Sequence, residues 1–174
     1  MTETPEPRPE ASRTMTGPIV VGVMPGQRPV VLEQAAQVAA GAGLPLVCAF
    51  VDVTVYPVDG STGGPAAPID PDGFDDAPQE FPESLQTAIA SQLAGSGVRW
   101  SMVRLAGETA RALAREAEDI GASMIVVGTR EHTLTAVLKD VTAGSVARHL
   151  FHRQDVPVLV VPVNPRVPDD DDDD

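Results

Sequence analysis

Two glycines and a serine in the last third of the chain have the types and spacing to handle a phosphate. Gly128 closes the apolar run Met124-Ile125-Val126-Val127, and Gly144-Ser145 follows sixteen residues later at the start of a helical pattern. A strand end and a helix start both expose backbone N–H groups, and two such groups of donors converging on one point make an anion nest. Ser145 would also cap its helix, and Arg130 and Lys139 would bring positive charge nearby. Taken singly, Gly128 is turn punctuation and Ser145 an ordinary cap. Their shared context, between two apolar strands, is what makes a phosphate-sized pocket above a parallel sheet a reading of its own.

Other candidate chemistry is thin. His149 and His152 sit three apart on one helical stretch, but no Cys or carboxylate is spaced with them as a third ligand, so no metal site is expected. Cys48 falls inside an apolar run and reads as a small core residue. Glu116, Glu118 and Asp119 read as a solvated helix face. Ser61-Thr62-Gly63-Gly64 is similar to a glycine phosphate loop, yet it lies in a Pro/Gly-rich stretch and not between a strand and its helix. Gly41-Ala42-Gly43 falls at a helix end, where the two glycines stop the helix. No catalytic constellation emerges and the chain is not expected to be an enzyme; slow ATPase activity is the one activity a nucleotide pocket would leave open.

The elements that must position these residues follow from periodicity. Ile19 to Val23 is an apolar strand ending at Met24-Pro25-Gly26, Val31 to Ala42 has helical spacing, and Leu46 to Val51 is the next strand. Residues 53–80 change composition and read as a long mobile loop rich in Pro and Gly. Beyond it come a helix from Pro82 to Leu93, a strand from Val98 to Leu105, a helix from Glu108 to Ile120, and a strand from Met124 to Val127. A helix from Gly144 to His152 and a strand from Pro157 to Val161 complete the alternation. Strands apolar throughout, alternating with amphipathic helices, predict an α/β fold: a five-stranded parallel sheet sandwiched by helices, Rossmann-like.

Composition bounds the rest. The 174 residues fit one domain over 18–163, flanked by disordered tails over 1–17 and 164–174, the latter ending in six aspartates. The formal charge is −13, and the balance stays acidic without that run, so nucleic acid and anionic membranes are not expected partners. With no apolar run long enough for a leader or a membrane span, and a single cysteine, a cytoplasmic location is expected.

Several of these stretches together resemble the universal stress proteins. They are Ile19-Val20-Val21-Gly22-Val23, the helix through Ala42, Met124 through Arg130, Gly144-Ser145-Val146-Ala147, and Val156-Pro157-Val158-Leu159-Val160-Val161-Pro162. The resemblance implies a five-stranded fold of the adenine-nucleotide α-hydrolase type, a cytoplasmic stress-response role and a homodimer. It also implies ATP as a cofactor, with Gly128, Arg130, Gly144, Ser145 and Val146 around the phosphates and the backbone near Val51 against adenine. The family's nucleotide-binding signature runs Gly, two residues, Gly, nine residues, Gly, then Ser or Thr, with an Asp ending the first strand. Here Glu131 stands at the second Gly, twelve residues separate it from Gly144, and Met24 stands where the Asp is expected. A carboxylate beside a polyanion and a displaced loop weaken a phosphate nest. The sequence thus predicts a regulatory or interaction module that binds ATP weakly or not at all, dimerising through Val158 and Val160 of the last strand and acting on a protein partner it does not identify. The other reading is an ATP- or AMP-dependent switch.

Overall fold

The computed structural model describes residues 15–58, 66–68, 81–129, 146, 150 and 155–163. Five strands form one sheet: β1 (Ile19–Val23), β2 (Leu46–Asp52), β5 (Trp100–Ala106), β6 (Met124–Gly128) and β7 (Val158–Val161). Their order is β5-β2-β1-β6-β7, and every neighbouring pair is parallel. The chain therefore winds outward from β1 in one direction, then crosses back and winds outward in the other. Between β1 and β6 the order reverses, which opens a crevice at the carboxyl ends of those two strands.

Alternate residues of each strand serve opposite faces, which is why the strands read as continuously apolar. Ile19, Val21, Leu46, Cys48 and Val126 point into a core shared with α1 (Val30–Ala42) and α2 (Glu83–Leu93). Val20, Ala49, Leu105, Ile125 and Val127 point into a second core with α3 (Thr109–Asp119). Val146 and Leu150, both helical, pack on that second core, and Leu150 is wholly buried. Small residues on α1, Ala35, Ala36 and Ala39, let that helix lie close to the sheet.

Local chemistry sets the helix ends. The Glu108 carboxylate accepts the Ala110 and Arg111 N–H groups at 3.0 and 3.1 Å, satisfying two donors that α3 leaves open and placing negative charge at its positive end. At the other end Gly121 adopts φ +61°, and its N–H and that of Ala122 return to the carbonyls of Glu118 and Ala117. Gly43 closes α1 in the same way with φ +66°, whereas Gly41, expected to share that task, lies inside the helix.

Two further expectations need correction. Part of the 53–80 stretch is an antiparallel ribbon, β3 (Val55–Pro57) against β4 (Ala66–Pro68), with Tyr56 opposite Ala67. The many prolines and glycines hid it, because strands this short carry no alternation long enough to register. Glu116 is not on a solvated face: it is 9 % exposed and lies among the residues α3 buries. Spacing from Ala112 and Leu113 places it there, and counting charges in sequence missed that rotation. Smaller adjustments are a β5 that begins at Trp100, two residues late, and a β2 that runs one residue further to Asp52.

Candidate functional site

The carboxyl ends of β1 and β6 define the crevice, and Gln27, Val31 and Val163 lie close to those strand ends. After β1 the backbone turns sharply, with the Gln27 N–H donating to the Met24 carbonyl at 3.2 Å. The Gln27 side chain then folds back over the turn. Its Nε2 donates to the Gly22 carbonyl at 3.3 Å, and its Oε1 accepts the Met24 N–H at 3.2 Å. The carboxamide thereby lies between the two strand ends, because Nε2 is also 3.4 Å from the point where a Cβ on Gly128 would stand.

Gly128 is hemmed in on its other sides as well. A Cβ there would meet Val31 Cγ2 at 2.8 Å and Val163 Cγ1 at 3.3 Å. Val31 is fully buried and β-branched, so it cannot swing aside cheaply. Gly128 does not adopt positive φ, so the residue is glycine here for closeness of approach and not for backbone conformation. The segment after β7 seals the arrangement. Thr129 N–H donates to the Val161 carbonyl at 3.0 Å, Val163 N–H donates to Thr129 Oγ1 at 3.2 Å, and Arg28 Nη1 donates to the Val163 carbonyl at 2.9 Å.

Of the residues the sequence nominated, Gly128 stands at the crevice, and Val51 and Val146 are half-buried against the second core. Arg130, Glu131, Lys139, Gly144, Ser145, His149 and His152 lie outside the described residues. Met24 is at the mouth of the crevice and 51 % exposed. Sequence reasoning missed Gln27, Arg28 and Val163. Nothing in their types announces them, since they act through a turn and a tertiary contact. Among the described residues no group of three or more His, Cys, Asp or Glu could hold a metal ion. No described helix is long and apolar enough to cross a membrane.

A second polar cluster sits one strand over. Asp52, 4 % exposed at the end of β2, accepts the Thr54 N–H at 2.8 Å and its hydroxyl at 2.6 Å, and takes Arg104 Nη2 at 2.9 Å. Burial pushes the Asp52 carboxyl up, but the Thr54 and Arg104 hydrogen bonds and the Arg104 charge outweigh it and hold the group below its ordinary value. A carboxylate depressed in the folded state stabilises the fold above its unfolded pKa, and that contribution is lost as pH falls through the folded value. Asp52→Asn should therefore cost about 2 kcal/mol in urea unfolding at pH 6, and the gap to wild type should narrow as pH falls below the ordinary carboxylate range. A gap independent of pH would show that the ionised form contributes nothing. Cys48, by contrast, is fully buried and its thiol is pushed up to about 12 by burial, which makes it inert core.

A doubly wound parallel α/β domain with a crevice at its strand-order reversal is a class that hosts many nucleotide-handling and regulatory proteins. Within that class the chain belongs to the universal stress protein family, whose sequence model matches residues 15–162. No curated protein matches the chain. Among solved structures it is similar to a universal stress protein in complex with cAMP, at 19 % identity and a TM-score of 0.60, covering 86 % of this chain and 99 % of that one. It is also similar to one from Archaeoglobus fulgidus in complex with dAMP, at 18 % identity and a TM-score of 0.55, over 84 % and 98 % of the two chains. A third, from Arabidopsis thaliana with AMP bound, is 14 % identical with a TM-score of 0.53, over 89 % and 98 %. At these identities the likeness shows the fold.

Proposed function

We propose that the protein is a non-enzymatic regulatory or interaction module of the stress-response type, whose crevice takes ATP weakly or not at all and whose output runs through self-association and a protein partner. The observation that carries this is the close approach of side chains to the ends of β1 and β6. Gln27 lies between the ends of β1 and β6, and the space a side chain on Gly128 would take is occupied by Val31 and Val163. Met24, in the place where nucleotide-binding relatives carry an Asp, offers nothing to a ribose hydroxyl.

The second reading, an AMP- or ATP-dependent switch, is favoured by the three similar structures that hold cAMP, dAMP and AMP. Calorimetry separates the two. Mg-ATP should bind no tighter than about the millimolar range, roughly 4 kcal/mol, and protein purified without added nucleotide should release none on denaturation. Gln27→Ala, which withdraws the carboxamide, should strengthen binding. Micromolar affinity in the unaltered chain would sink the first reading in favour of the switch.

A further inference from the structure

The sheet has two edges, and the one formed by β5 is the longer. β5 runs for 7 residues against the 4 of β7, and among the described residues it pairs only with β2. The two ends of that pairing fix which way its backbone groups turn. The Leu46 N–H donates to the Arg99 carbonyl at 2.9 Å, and the Gly107 N–H donates to the Asp52 carbonyl at 3.0 Å. Odd-numbered residues of β5 therefore bond to β2, and Trp100, Met102, Arg104 and Ala106 turn their N–H and C=O groups away from the sheet. None of these is proline, whereas the outward series of β7 runs into Pro162.

We propose that the outer edge of β5 is a docking strand for an extended segment of a partner protein, one that carries acidic residues among apolar ones. This rests on the reading that the module's output runs through a protein partner, and it says how that partner is held. Main-chain pairing along an open edge supplies affinity, and the flanking side chains choose the occupant. Trp100 and Met102 are half-buried on the α2 side of the sheet and leave apolar surface for cross-strand neighbours. Arg99, where the edge begins, is exposed and makes no ion pair among the described residues. Arg104, towards the other end, gives Nη2 to Asp52 at 2.9 Å, and its buried Nε has no partner. The strand from Trp100 to Ala106 itself carries no carboxylate, in a chain whose formal charge is −13. A second copy paired through β5 would bring the arginines of both copies to one seam with no acid on either strand. An acidic segment meets opposite charge there instead.

The test is an NMR titration of the full-length protein with a short peptide of alternating valine and threonine that has a glutamate at each end. The amides of Trp100, Met102, Arg104 and Ala106 should shift and gain protection from hydrogen exchange, saturating with a dissociation constant of about 100 µM. Those of Ser101, Val103 and Leu105, already bonded to β2, should keep their exchange rates. Replacing the peptide's glutamates by lysines should weaken binding about tenfold, and Arg99→Glu, a change at an exposed position, should reverse that preference. Met102→Pro removes an outward N–H and leaves the ladder with β2 intact, so it should weaken the glutamate peptide about tenfold or more. The proposal is overturned if the outward amides do not respond up to about 2 mM peptide, or if Met102→Pro binds as well as wild type. Equal binding of the two peptides would overturn the acidic class. Protection of the outward amides before any peptide is added would show that the chain itself covers the edge, through a second copy where protection grows with protein concentration, and would overturn a separate partner. Micromolar ATP binding would remove the functional reading and leave these responses as they are, so the two fail separately.

Discussion

Gly128→Ala should lower stability to urea by about 1–3 kcal/mol, the usual effect of forcing a methyl group into a filled core. The sign is what makes the experiment decisive. Because Gly128 has no positive φ, alanine fits the backbone, and in open space the substitution would stabilise by roughly 0.4–1 kcal/mol through the unfolded chain. Only the 2.8 Å approach to Val31 Cγ2 turns that gain into a loss. Val31→Ala in the same chain should therefore relieve the clash, and the pair should be non-additive by about 0.5–3 kcal/mol. Additive or stabilising behaviour would mean that the end of β6 is open, and with it the crevice. Thermal unfolding of the four chains at one pH supplies an independent measure.

The second large effect concerns association, and it rests on the edge position of β7. Pro157 and Val161 carbonyls accept from Ile125 of β6 and from Thr129 just past its end, so residues of that parity face inward. Val158 and Val160, of the other parity, turn their N–H and C=O groups away from the sheet. Pro162, next in that series, has no N–H to offer. An apolar edge with two residues that pair with no other strand among the described residues is a template for a second copy of the same strand. Wild type should sediment as a dimer at tens of micromolar, an ordinary concentration for such interfaces, and Val160→Pro should weaken the dimer by a factor of roughly ten or more. Proline removes only the outward N–H and leaves the ladder with β6 intact. Val160→Asp is a harsher probe, because that side chain also packs on the second core. Dimers unaffected by Val160→Pro would place the interface elsewhere, and a monomeric wild type would remove the proposal altogether.

The sequence by itself determined the five strands of the sheet, the three long helices and the family. Runs such as Ile19 to Val23 and Met124 to Gly128 are apolar on both faces, and only a parallel sheet covered on both sides buries them. The limits of α3 were legible to within a residue at each end, because the groups that set them, Glu108 and Gly121, act on backbone close in sequence. What depends on local chain geometry is written locally. The ribbon of β3 and β4 escaped because three residues per strand carry too little pattern, and Glu116 escaped because its burial depends on which way α3 is turned. Asp52 and Arg104 are 52 residues apart and meet only through the pairing of β2 with β5. The crevice was the feature that only tertiary structure could decide. Gly128 has the same identity whether it makes room for a phosphate or for Val31. The surroundings of Gly128 are set by the Gln27 side chain folding back to Gly22 and by Val163, 35 residues further along, lying against the strand end. A glycine records that space was needed; what fills the space is set by contacts between segments the sequence does not place side by side.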